Sequence, residues 1–120
     1  ASDVYKRQYL LGDSSLHLDT AGTVMAWVKL TSTSISSGNH AIISKYDYGT
    51  DPDKREWALI VSGETHGDNS GGAAGCPSMI AMDDPNEYDS ETRATSGTAL
   101  TAGRWYHLAG TFSTSDTTKK

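Results

Sequence analysis

Three short apolar stretches, far apart along the chain and each centred on a tryptophan, constrain the fold more than any other feature. They are TVMAWVKL at residues 23–30, EWALIV at 56–61 and RWYHLAGTF at 104–112. Each is bounded by Gly, Pro, Ser or Asp and is too short for a buried helix, so each reads as a strand. In 104–112, Tyr106, Leu108, Gly110 and Phe112 share one face, and Trp105, His107, Ala109 and Thr111 share the other. Neither face is strongly polar, which places this strand inside a sheet rather than at its rim. The same holds for 23–30, where Val24, Ala26 and Val28 face opposite to Met25 and Trp27. Three such strands are expected to bring their indoles together in one core. No segment carries a helical period over the necessary length.

A chain of 120 residues with 36% hydrophobic content allows one domain with a modest core. Its net charge is −5, and no Lys/Arg cluster is present to displace counterions from phosphates, which argues against nucleic acid as a partner. No run approaches the ~20 apolar residues of a membrane helix, so insertion into a membrane is not expected. The single cysteine, Cys76, has no internal partner and leaves the redox compartment open. Residues 2–8, SDVYKRQ, resemble a translated sequencing-adapter scar. Residues 1–8 are therefore set aside as a non-native or disordered arm, and the domain is placed at 9–120.

Further strands are expected at 9–12, from Leu16 to Leu18, at 41–45 (AIISK), at 78–82 (SMIAM) and around 88–94, with Leu100 plugging the core before a Gly103 turn. Between them lie loops rich in Gly, Ser and Asp. Seven or eight short strands with such spacing predict a sandwich of two antiparallel sheets. A strand just after Lys120 is expected to pair with 104–112, which leaves the sandwich incomplete at its C-terminal edge.

Taken in order, Leu16-x-Leu18, TVMAWVK, AIISKYD, REWALIV and AGRWYHLAGTF are similar to the laminin-G-like or pentraxin-like branch of the concanavalin A-like lectin/glucanase superfamily. The resemblance covers residues 9–112 and is most specific in the last segment. It implies an all-β jelly-roll β-sandwich, as a non-catalytic module of a larger extracellular or surface protein. Such a module binds glycan or protein ligands, in some members through Ca²⁺.

Tyr46, Tyr48 and Tyr88 lie in polar loops where a ring has no evident core to enter, which makes them candidate ligand platforms. Asp47, Asp51 and Asp53 gather carboxylates around the Gly49 turn and could hold Ca²⁺, although their spacing is not that of an EF-hand. Asp83, Asp84 and Asp89 form a weaker cluster of the same kind. Glu87, Asp89 and Glu91 reproduce the Glu-x-Asp-x-Glu pattern of retaining glucanases, where alternation sets three carboxylates on one face. The polar flanks of this segment argue against the burial a general acid requires. The four histidines are scattered without a zinc spacing, and no Gly-x-Ser-x-Gly elbow occurs. The expectation is a non-catalytic recognition module; the alternatives are a glycoside hydrolase fragment or a ligand-free structural spacer.

Overall fold

A computed structural model describes residues 18, 21–32, 38–46, 55–63, 74–82 and 91–113. They form six strands: β1 (Ala21–Lys29), β2 (Asn39–Tyr46), β3 (Arg55–Ser62), β4 (Pro77–Met82), β5 (Glu91–Thr95) and β6 (Trp105–Ser113). β1 pairs with β6 in a two-stranded sheet, and β2-β3-β4-β5 form a four-stranded one. Every ladder is antiparallel. The protein is all-β, two sheets packed face to face, as the turn spacing predicts. The sequence reading places β1 and β6 inside a sheet, yet among the described residues each has only the other as a strand neighbour.

Between the sheets, alternation decides which residues meet. Val24 and Ala26 of β1, with Leu108 and Phe112 of β6, pack onto Trp57, Leu59 and Met79 of the larger sheet. Val28, Leu30 and Tyr106 continue this layer toward Val61 and Leu100. Leu100 therefore plugs the core as expected, held by its own N–H donating to the Gly75 carbonyl at 2.9 Å. The sheets approach closely at one point. A Cβ added at Gly110 would lie 2.7 Å from Sδ and 2.8 Å from Cβ of Met79, so only glycine fits where β6 crosses β4.

The opposite face of β3 and β4 is also buried, through Ala58, Ile60 and Ile80. Its hydroxyls satisfy one another: Ser78 Oγ lies 2.9 Å from Thr95 Oγ1 and 3.4 Å from Ser62 Oγ. The approach to β6 is set by Gly103. Its φ of 79° suits glycine, and its N–H donates to the Leu30 carbonyl at 2.8 Å, prolonging the β1–β6 pairing past the strand ends.

Candidate functional site

The three indoles do not meet. Trp57 is 4% exposed and lies in the core beside Val24, Leu59 and Met79, as expected. Trp27 and Trp105, in contrast, are 69% and 65% exposed on the outer face of the two-stranded sheet. The expectation of one shared indole core is thereby corrected, and the reason is steric. At Gly110, the register partner of Val24, β6 approaches β4 so closely that a methyl group would collide with Met79, and the one indole in this layer is that of Trp57 on β3. Val24, Ala26 and Val28 of β1 and Tyr106, Leu108 and Phe112 of β6 take the inside, and Trp27 and Trp105, on the opposite parity, turn out. The apparent two-sided apolarity of both strands thus has two different causes: a packed face and an exposed aromatic one.

The outer face is built from alternate residues of both strands. Met25 pairs with Ala109, Trp27 with His107, and Lys29 with Trp105, while Thr23 pairs with Thr111 at the far end. All these positions are exposed. The Trp27 and His107 rings lie with centroids 5.1 Å apart and planes inclined at 45°. Two indoles and Met25 share this face and leave it an exposed apolar surface. The sequence held a signal for this. Thr23, Lys29, His107 and Thr111 share the parity of the two indoles, and that polar company marks the solvent side.

An open cleft of ≈ 420 Å³ adjoins this face along β6, lined among others by Leu59, Met79, Ala94, Ser96, His107 and Ala109. It lies where β6 runs above β4 and the exposed Ala94 of β5. His107 belongs to both features and joins the platform to the cleft. At the other end of β6, the Tyr106 hydroxyl accepts a hydrogen bond from the Thr101 N–H at 3.0 Å. Hydrogen bonds from Thr101 side chain and backbone hold its pKa below the ordinary tyrosine value, and the Arg104 guanidinium, 6.0 Å from the ring centroid, adds to the effect.

Of the residues singled out from sequence, Tyr46 ends β2 opposite Arg55, and its side chain lies outside the described residues. Tyr48, Tyr88, Asp47, Asp51 and Asp53 also lie outside them, as do Asp83, Asp84, Glu87 and Asp89. Glu91 opens β5 with Met82 as its register partner. Among the described residues no three His, Cys, Asp or Glu side chains gather into a metal site. Cys76 is buried and unpaired. Among the described residues there is no helix long and apolar enough to cross a membrane.

A laminin G family model, described as Concanavalin A-like lectin/glucanases superfamily, matches residues 5–119. No curated protein and no solved structure matches the chain. Two antiparallel sheets stacked around an aliphatic core, together with a family match along nearly the whole sequence, place the chain as a member of the concanavalin A-like lectin/glucanase superfamily, in its laminin-G-like branch.

Proposed function

We propose that this chain is a non-catalytic recognition module that binds carbohydrate on the outer face of β1 and β6, as part of an extracellular or surface protein. The observation that carries this reading is the pair of exposed indoles, Trp27 and Trp105, on one sheet face. An indole left in water gains by covering its ring with another apolar plane, at roughly 25 cal/mol per Å² of apolar area removed from solvent. The C–H faces of a pyranose offer such a plane, while its hydroxyls meet the polar positions Lys29, His107 and Thr111 around the rings. Both platform rings sit on hydrogen-bonded strands, so little ordering is needed on binding.

Ca²⁺ enters the reading as an accessory ligand of Asp47, Asp51 and Asp53, whose carboxylates suit a hard cation. Binding to a panel of neutral and acidic oligosaccharides, measured by calorimetry in calcium and in chelator, tests the proposal. Trp27→Ala and Trp105→Ala are each expected to weaken binding about tenfold or more, as truncation of an aromatic anchor does. Binding that survives both substitutions undiminished would remove this face from consideration. Release of new reducing ends from any bound glycan would overturn the non-catalytic assignment.

A further inference from the structure

The two sheets differ in width, and the difference leaves a step between them. Met79 of β4 lies under β6 and is 5% exposed. Its register partner Ala94, one strand further on β5 and on the same face of the sheet, is exposed. The smaller sheet therefore covers β4 and stops short of β5. The open cleft of ≈ 420 Å³ occupies this step, and its size falls within the ~300–1,000 Å³ of small-ligand sites. Five consecutive residues of β6, His107 to Thr111, line it. A strand that presented one face would contribute alternate residues only, so the cleft runs along the edge of β6.

His107 is the sole ionisable side chain in the cleft's lining. A charged group held deep in it would lose water without gaining an opposite charge. Met79, Ala94 and Ala109 supply apolar surface, and Thr95, Ser96 and Thr111 bring hydroxyls beside the backbone N–H and C=O groups of a strand edge. A neutral group with C–H faces and a hydroxylated rim matches both, and a sugar ring is such a group.

The cleft is also tied to the platform. His107 lines it and lies beside Trp27 with ring centroids 5.1 Å apart. Across the sheet the order is Trp27 on β1, His107 on β6, then the cleft, in steps of about 4.7–4.9 Å. Trp105 lies in another direction, two residues from His107 along β6. A glycan stacked on both indoles runs along their diagonal and passes the cleft by. A substituent on its ring above Trp27 crosses His107 and reaches over the edge of β6.

We infer that the cleft beside β6 is a subsite for a neutral sugar branch, carried by a glycan chain that stacks on Trp27 and Trp105. The inference rests on the carbohydrate reading above and adds a ligand class to it, branched neutral glycans in preference to linear ones.

The test uses the full 120-residue chain. Cellotetraose, mannotetraose and xylotetraose are titrated by calorimetry beside forms carrying one xylose, galactose or arabinose side ring, and beside the linear pentasaccharides, which match the branched forms in ring count. On at least one backbone the branched form is expected to bind about tenfold tighter than the linear chain of equal ring count. Ala94→Phe puts a ring into the cleft from an exposed position, where folding tolerates it, and should erase the preference while linear chains bind as before. In the unaltered chain, the Ala94 methyl resonance should move with branched ligands and stay with linear ones, while the Trp27 indole resonance moves with both. Equal affinity for branched and linear chains, with binding still dependent on Trp27 and Trp105, would overturn the branch subsite and leave the carbohydrate reading standing. So would a branch preference that survives Ala94→Phe, or an Ala94 methyl unmoved by branched ligands. No binding of any of the three sets would overturn both.

Discussion

Trp27 and His107 face one another across the β1–β6 ladder with ring centroids 5.1 Å apart, and the indole remains 69% exposed. The imidazole therefore steadies the indole without covering it. A cross-strand pair of this kind contributes about 0.2–1 kcal/mol to the sheet, far less than burial of the same ring would. So small a contribution leaves the open side of the ring for the ligand proposed above to cover.

Placement of the indoles separates stability from binding. Trp57→Ala should cost about 3–5 kcal/mol, since it empties a packed site between Leu59 and Met79. Trp27→Ala and Trp105→Ala should each cost within about 1 kcal/mol. Urea denaturation of the three variants checks this, with acrylamide quenching as a second readout: in the folded chain the emission of Trp27 and Trp105 should be quenched freely and that of Trp57 protected. Comparable losses of stability from all three would show that the outer rings are packed after all.

Gly110→Ala is expected to destabilise by about 1–3 kcal/mol through overpacking, because the new methyl would meet Met79 at its Cβ as well as at its flexible sulfur. Combining it with Met79→Ala should cost less than the sum of the two single changes, the methyl partly filling the space the thioether vacates. Strict additivity by thermal or chemical unfolding would show that the sheets do not touch at this point.

Most of the fold was legible because strands declare themselves through alternation and turn residues. REWALIV, SMIAM and WYHLAGTF lie within or on the strands expected of them, and Leu100 occupies the core position its isolation among polar residues suggests. The side on which the indoles would fall was misjudged for a physical reason. Periodicity assigns Val24, Ala26 and Val28 to one face and Met25 and Trp27 to the other, but it does not say which faces inward. Bulk favours the tryptophan side. The polar company of Trp27, Thr23 and Lys29, points the other way, and the packing of Val24 and Ala26 onto the cluster of Trp57 and Met79 follows it. The pairing of Lys29 with Trp105 depends on register between segments some 80 residues apart, which no local pattern encodes.

Tyr106 should ionise at lower pH than an ordinary tyrosine. Hydrogen bonds from Thr101 favour the phenolate, and the nearby Arg104 charge acts in the same direction. The folded state then binds its proton less tightly than the unfolded state, whose value is near 10.0. Its linkage contribution to stability is complete above that value, is lost as pH falls through the lower folded pKa, and is absent at neutral pH. A difference titration at the phenolate absorption band between the wild type and Tyr106→Phe isolates this group, and Arg104→Ala should move its midpoint upward. A midpoint at or above the ordinary value would contradict the Thr101 contact.

Lys45 Nζ and Glu56 Oε1 lie 3.0 Å apart where β2 meets β3, their side chains only 24% and 17% exposed. The ammonium itself is out of contact with solvent. Glu56→Gln removes the charge that compensates it and should cost about 1–3 kcal/mol, the scale of a buried polar group left without compensation. Replacing both ends, Lys45→Met with Glu56→Leu, removes the desolvation penalty along with the attraction and should return stability to within about 1 kcal/mol of the wild type. Denaturant midpoints for the two single variants and the double variant complete the cycle. If the double variant is no better than Glu56→Gln, the pair is held by surroundings other than its own charges, and the β2–β3 edge is more polar than its burial indicates.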